Sequence, residues 1–159
     1  MEFITQQDVQ PDIVVFIDGD HSDHPEELGK VIAPIVEQGM DMVIGSRALG
    51  KRAKGSMTIP QVFGNWLACT LMKWLYGVQY TDLGPFRAIT WEALQTLEMR
   101  DRNYGWTVEM QLKAAKHDMK VTEVPVDYRK RIGFSKVSGT FKGAILAGYK
   151  IIKTILVYR

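Results

Sequence analysis

The chain has a single cysteine, Cys69, among 159 residues. One thiol excludes an internal disulfide framework and any zinc site built from paired cysteines, and it fits a reducing compartment. The longest charge-free stretch, residues 55–72, contains Gly55, Ser56, Thr58, Pro60 and Gln61, so no segment clearly reads as a bilayer-spanning helix. The first residues lack the basic start, apolar run and small-residue site of a signal peptide. There is no Walker glycine loop, no Gly-x-Gly-x-x-Gly, no internal repeat and no low-complexity linker. Net charge is also small: the formal balance is only +2, which does not announce a nucleic-acid binder. What is present is ordinary for a globular domain, with 46% hydrophobic and 24% charged residues, and this excludes a disordered chain, a collagen and a coiled coil.

The charge is unevenly placed. Residues 1–99 hold 7 Lys/Arg and 13 Asp/Glu, and residues 100–159 hold 13 and 5, balances of −6 and +8. An acidic half beside a basic one suggests a cation at one place and a phosphate or anionic surface at another. Two faces of one fold that happen to differ would give the same count.

Ile13–Ile17 is a continuous β-branched and aromatic run, as expected of a strand covered on both faces. Asp18-Gly19-Asp20 follows it. Pro25 then opens a helix, with Ser22 or Asp23 as its cap, Leu28, Ile32, Ile35 and Val36 as its apolar face and Gly39 as its stop. Met42-Val43-Ile44 is a second strand, ending in Gly45-Ser46-Arg47, so residues 13–47 read as a strand–helix–strand unit with a right-handed crossover. Residues 48–60 read as a mobile basic loop. Residues 61–76 form a helix apolar nearly all round, which must be buried in protein or in a membrane interface. A turn at 81–85, a strand at 86–89, helices at 91–99 and 106–117 and a strand at 121–128 follow, with Pro125 marking an edge or a bulge. Residues 129–140 are a basic glycine-containing loop and 141–157 a helix. Its Lys142, Lys150 and Lys153 fall at about 0°, 80° and 20° on a helical wheel. Such a narrow stripe suits a membrane interface, packing on the domain, or a missing partner.

Two carboxylates at i and i+2 just past a strand end place oxygen ligands in the crevice where open α/β sheets bind ligands. Hard divalent cations take such oxygens and phosphate oxygens together. Helix capping explains the same acids without a metal. An EF-hand fails, because its sixth and twelfth positions counted from Asp18 are Asp23 and Gly29. A phosphatase with an aspartyl nucleophile needs a later lysine and a further acidic pair, and no such pair is evident. His21 and His24 lie close enough to the carboxylates to ligate metal, or are solvated loop residues.

Taken in order, several segments resemble the family 2 glycosyltransferases of the GT-A fold, nearest to the branch that includes dolichyl-phosphate mannose and glucose synthases. They are Ile-Asp-Gly-Asp with Pro25 beyond, Met-Val-Ile-Gly-Ser-Arg at 42–47, Asn65 in the apolar helix, and Thr-Asp-Leu-Gly-Pro-Phe-Arg at 81–87. Trp106 with Glu109, Val-Pro-Val-Asp-Tyr-Arg at 124–129, and Arg131 with Gly-Phe-Ser-Lys at 133–136 complete the set.

The resemblance implies an α/β GT-A fold, with a mostly parallel sheet and flanking helices but lacking the family's first strand–helix units. Residues 1–140 would be a partial transferase domain and 141–159 a basic amphipathic C-terminal helix. It further implies that Asp18 and Asp20 hold Mg²⁺ or Mn²⁺ on the donor diphosphate. Arg47 with Lys51 or Arg52 would contact the acceptor, and Arg131, Ser135 and Lys136 would close over the phosphates, unless they form only a solvated basic hairpin. Glu109 matches the family's acid, which a hydroxyl acceptor needs as a base and a phosphate acceptor does not. Asp82 would orient the donor sugar or Arg87, or simply form an Asx turn.

The activity so implied is inverting, metal-dependent sugar transfer from a nucleotide sugar to a membrane-bound acceptor, a polyprenyl phosphate, by a cytoplasmic protein peripheral to the membrane, with no nucleic-acid partner. The other reading is a non-catalytic fragment serving in assembly or at a membrane surface. With the opening units lacking, the edge beside strand 13–17 is expected to be exposed and to recruit another copy.

Overall fold

The computed structural model describes residues 2–133 and 141–158, and the side chains of residues 2, 3, 141, 142 and 144 are not considered. Ser135 and Lys136 therefore lie outside the described residues, as does the side chain of Lys142.

The elements run α1 (Glu2–Thr5), β1 (Ile13–Phe16), a 3-10 turn (Pro25–Glu27), α2 (Leu28–Gln38), β2 (Met42–Ser46), α3 (Ile59–Tyr76), β3 (Arg87–Thr90), α4 (Trp91–Thr96), α5 (Trp106–Lys116), β4 (Val121–Pro125) and α6 (Phe141–Val157). The sheet order is β1-β3-β2-β4. β3 is antiparallel to both neighbours and β4 is parallel to β2, so β1, β2 and β4 share one direction and β3 opposes them. The expected strand–helix–strand unit is present, but β3 sits between its two strands. A later, short antiparallel strand fills that gap because its register, Val43 opposite Ala88 and Val15 opposite Ala88 on the other side, lets one small residue face both strands. β1 is an edge strand, as expected of segment 13–17, and β4, whose last residue is Pro125, is the other edge.

The period of two in β2 divides the core. Met42 and Ile44 pack with Ile89, Trp91, Leu94, Leu97 and Met110 under α4 and α5. Val43 turns to the opposite face and packs with Val31, Ile35, Phe86, Ala88 and Val126 beside α2. A strand buried on both faces needs no polar alternation, which is why its sequence reads as a continuous apolar run. A third cluster joins α3, α5 and α6 through Ala68, Met72, Val108, Leu112 and Ile155.

Helix ends follow local chemistry. Thr58 and Gln61 form a capping box on α3, with the Thr58 N–H donating to Gln61 Oε1 at 2.7 Å and the Gln61 N–H to Thr58 Oγ1 at 3.4 Å. Gly39, at φ 63°, closes α2 in the left-handed region that glycine adopts without strain.

Three expectations change. Neither Ser22 nor Asp23 caps the helix after Pro25: the N-cap position is His24, which makes no side-chain cap bond, and the first turn is 3-10. Both expected caps are committed to the Asp18–Asp20 turn instead. Segment 48–60 is not free: the Ala53 N–H donates to the Tyr128 carbonyl at 2.8 Å and the Tyr128 N–H to the Lys51 carbonyl at 2.9 Å. Helix α3 is only partly buried, for Phe63, Trp66 and Trp74 are 59%, 58% and 80% exposed.

Candidate functional site

A cleft of about 420 Å³ opens where Asp18 leaves β1 and Arg47 leaves β2, with Arg131 from the segment after β4 on the same lining. Asn65 of α3, Trp106 of α5 and Ile151 of α6 supply other walls. The sheet directs these residues to one place because β1, β2 and β4 run the same way and release their following residues at one end.

The acidic turn is held by its own short bonds. Asp20 Oδ1 accepts the Ser22 N–H at 2.9 Å and the Ser22 hydroxyl, while Asp20 Oδ2 pairs with Arg131 Nη2. Asp23, 1% exposed, accepts the Asp18 N–H at 3.1 Å on Oδ2, and its buried Oδ1 has no hydrogen-bond partner among the described residues. Arg129 braces the turn from outside: its Nε donates to the His21 carbonyl at 2.6 Å and its Nη2 to the Asp23 carbonyl at 3.2 Å. His21 itself sits at φ 71°, so the turn is held in a conformation that a β-carbon disfavours.

Electrostatics separates the two acids. Burial, then the neighbouring Asp20 charge, pushes the Asp18 carboxyl up. Burial would raise Asp20 too, but the Ser22 hydrogen bonds and the Arg131 cation outweigh it and bring the carboxyl down. Burial drives Asp23 up to about 6. A divalent cation here would relieve the like-charge repulsion on Asp18 and displace Arg131 from Asp20. The donor set of hard carboxylate oxygens fits Mg²⁺ or Mn²⁺. Among the described residues no cluster of three His, Cys, Asp or Glu side chains could hold a metal alone, so phosphate or water oxygens would complete the shell.

Arg47 is the most firmly placed cation in the cleft. Its backbone N–H and Nε both donate to Asp82 Oδ2 at 2.8 Å, and its Nη2 donates to Oδ1 at 2.7 Å. Its guanidinium carbon lies 5.1 Å from the Tyr128 ring centre. Burial would lower this guanidinium, yet the Asp82 hydrogen bonds and charge hold it above its ordinary value. Asp82 is fixed by a polar bracket. Glu123 accepts the Thr81 N–H at 2.9 Å and the Asp82 N–H at 3.2 Å, Asn65 Oδ1 accepts the Leu83 N–H at 2.8 Å, and Gln111 Nε2 donates to the Asp82 carbonyl at 3.1 Å. Gly84 completes the turn, since a β-carbon there would lie 2.5 Å from the Gly45 carbonyl oxygen.

The structure thus brings Asp18, Asp20, Arg47 and Arg131 together, with Asp82 behind Arg47. Lys51 and Arg52 lie apart. Lys51 is exposed and uses its backbone N–H on Asp127, while Arg52 lines a neighbouring cavity of about 370 Å³ with Trp66, Cys69 and Lys73. Asp82 is not paired with Arg87: that fully buried guanidinium donates instead to the carbonyls of Leu83, Gly84 and Thr107 and stacks 5.1 Å from the Trp106 ring centre, and burial lowers it to about 9. Glu109 sits in a separate groove beside α6. It accepts the N–H groups of Arg100 and Asp101 at 3.0 and 2.6 Å and the Tyr158 hydroxyl at 2.7 Å, and it pairs with Lys113 at 2.8 Å. Sequence reasoning assigned no role to Asn65, Glu123, Gln111 or Arg129. Asn65 and Arg129 lay inside the family-like segments, whereas nothing in the sequence links Glu123 or Gln111 to residue 82.

The model of the family described as Glycosyl transferase family 2 matches residues 6–106. An uncharacterized glycosyltransferase of Mycobacterium tuberculosis (strain ATCC 25618 / H37Rv) is 33% identical over 143 residues, covering 85% of this chain and 61% of that protein. The dolichyl-phosphate hexose transferase of Haloferax volcanii is 30% identical over 150 residues (92% and 63%), and the undecaprenyl-phosphate mannosyltransferase of Micrococcus luteus 27% over 137 residues (83% and 56%). The chain therefore spans about three-fifths of the length of these relatives. The glucosyl-3-phosphoglycerate synthase of Mycobacterium tuberculosis, solved with Mn²⁺, uridine-diphosphate-glucose and phosphoglyceric acid, superposes with a TM-score of 0.69 at 20% identity, covering 94% of this chain and half (50%) of that one. The two share the α/β GT-A fold.

Proposed function

The chain belongs to glycosyl transferase family 2, and on that premise we propose that it carries the cation-, diphosphate- and acceptor-binding part of an enzyme that moves a sugar, with inversion, from a nucleotide diphosphate to a polyprenyl phosphate. The observation that carries this reading is the Asp18 carboxyl lining a cleft between two arginines, Arg47 and Arg131. The names of two relatives point to polyprenyl-phosphate acceptors, and the solved neighbour was captured with Mn²⁺ and a nucleotide sugar.

In this reading Asp18 and Asp20 hold Mg²⁺ or Mn²⁺, which when bound offsets the charge developing on the departing diphosphate. Arg131 leaves Asp20 and pairs with a donor phosphate, with Ser135 and Lys136 as further phosphate ligands. Arg47, locked by Asp82 and Tyr128, offers its remaining N–H groups to the acceptor phosphate, a geometry suited to a planar guanidinium. Arg52, and Lys51 beside it, attract that acceptor from the neighbouring cavity. A phosphate acceptor is already an anion and needs no base. Asp82 is then a positioning residue, and Glu109, whose lone pairs are taken, holds the 100–101 turn. The exposed Phe63, Trp66 and Trp74 would rest at the surface of a membrane, on its cytoplasmic side. Among the described residues no helix is long and apolar enough to cross one.

Isothermal titration of the protein with Mn²⁺ and UDP or GDP tests the reading. Metal-dependent nucleotide binding that disappears in Asp20→Ala is expected, and equal binding with and without metal would overturn it. The second reading, a non-catalytic assembly module, draws on the half-exposed edge strand β1, which could pair with another copy. Sugar transfer by this chain alone would exclude it.

A further inference from the structure

A second groove, of about 220 Å³, lies between the 100–101 segment and α6 and shares no lining residue with the cleft. Arg100, Lys150 and Lys153 line it together with the carboxylates Asp101 and Glu109. Both acids are already used. Glu109 is saturated by two backbone N–H groups, the Tyr158 hydroxyl and Lys113. Asp101 accepts the Asn103 N–H at 2.7 Å and pairs with Lys150 at 2.9 Å. Counting Lys113, four cations face two carboxylates, leaving an excess of two positive charges. Among the described residues neither Arg100 nor Lys153 has an ion-pair partner, so a guanidinium and an ammonium stand open on the groove. Gly105 packs closely against two of the lining residues: a β-carbon there would fall 2.6 Å from Asp101 Oδ2 and 2.9 Å from Thr154 Oγ1.

We propose that this groove is a binding site for a phosphate monoester or diester group, held by Arg100, Lys150 and Lys153 and separate from the candidate catalytic cleft. A phosphate monoester carries about −1.5 to −2 charges at neutral pH and a diester about −1, both within the local excess, and their oxygens suit a guanidinium fork flanked by ammonium groups. Asp101 holds Lys150 in place on the groove, while Arg100 and Lys153 meet no competing carboxylate among the described residues. The phosphate reaches the groove either free in solution or on an anionic lipid headgroup, for Leu156 and Val157 on the same helix are exposed and apolar.

The test titrates the whole chain with inorganic phosphate by calorimetry and, separately, with vesicles of phosphatidylglycerol or phosphatidylcholine by co-sedimentation. Arg100→Gln/Lys153→Gln should lower affinity by about tenfold or more in whichever arm shows binding. Lys120→Gln, an exposed lysine elsewhere, should leave it unchanged. Phosphate binding without a preference for phosphatidylglycerol identifies a soluble ligand, and a phosphatidylglycerol preference without phosphate binding identifies a headgroup; either supports the site. Binding in neither arm overturns it. So does binding that survives Arg100→Gln/Lys153→Gln but is lost in Arg131→Gln, which would put the anion in the cleft. Both residues are exposed, so the variants should unfold at the parent's temperature.

Discussion

Arg47 and Asp82, 35 residues apart in the chain, form a forked ion pair in which Asp82 is 1% exposed and takes three N–H groups of one residue. The aspartate therefore serves as the socket of a cleft arginine.

Removing the socket strands the arginine. Asp82→Ala should destabilise the fold by about 3–5 kcal/mol, the usual penalty for orphaning a buried charge. Asp82→Asn should cost less, yet raise the KM for a phosphate acceptor more than it lowers kcat. Urea midpoints and steady-state kinetics in the complete enzyme check both. An unchanged acceptor KM in Asp82→Asn would remove Arg47 from the acceptor site.

Arg131 pairs with Asp20, and on the proposed reading it competes there with the metal. Arg131→Gln should therefore bind Mn²⁺ more tightly in the absence of nucleotide, while binding a nucleoside diphosphate about tenfold more weakly in its presence. Mn²⁺ titration followed by electron paramagnetic resonance measures both. Weakening of both affinities would contradict the exchange.

The Glu109 carboxyl is held down to about 2: burial opposes its ionisation, but Lys113, Tyr158 and two backbone N–H groups prevail. A carboxyl lowered in the fold stabilises it fully above the unfolded value, about 4.5, and ceases to do so as pH falls through about 2. The contribution at neutral pH is about 3 kcal/mol. Glu109→Gln should accordingly be less stable at pH 7 and should lose less stability than the parent between about pH 4.5 and pH 2. Equal pH slopes would show that the carboxylate is not the source.

Burial pushes the Cys69 thiol up to about 12, with the Asp82 and Glu123 charges adding to the effect. At pH 8 it should resist alkylation, and modification should track unfolding as urea is added. Rapid labelling of the native protein would contradict its burial.

Phe63→Ser and Trp66→Ser should weaken binding to phosphatidylglycerol vesicles without lowering the melting temperature by more than about 2 °C, because both side chains are more than half exposed. A large loss of stability would show that these rings serve packing.

Much of the fold was legible from periodicity and punctuation. The β-branched run 13–17, the Gly39 stop and the apolar spacing of α2 gave elements within a few residues of those observed. The position of β3 was not legible, because pairing partners are chosen by sheet register rather than by local sequence. Capping escapes local sequence for a similar reason: Ser22 and Asp23 suit a cap locally, but Ser22 donates to Asp20 and Asp23 accepts from the Asp18 N–H in the turn before them.

Residue order and type are enough to show which side chains could do chemistry, since an acidic pair at a strand tip and arginines after two further strands are visible there. Tertiary structure alone decided which of them share a site. It set Arg47 and Arg131 beside Asp18, turned Asp82 into a buried anchor and drew Glu109 into a second groove. The physical reason is that hydrogen-bond capacity is exhausted pairwise in space: a carboxylate already holding its full set of donors has none of its lone pairs left for a substrate, and no spacing along the chain reports that.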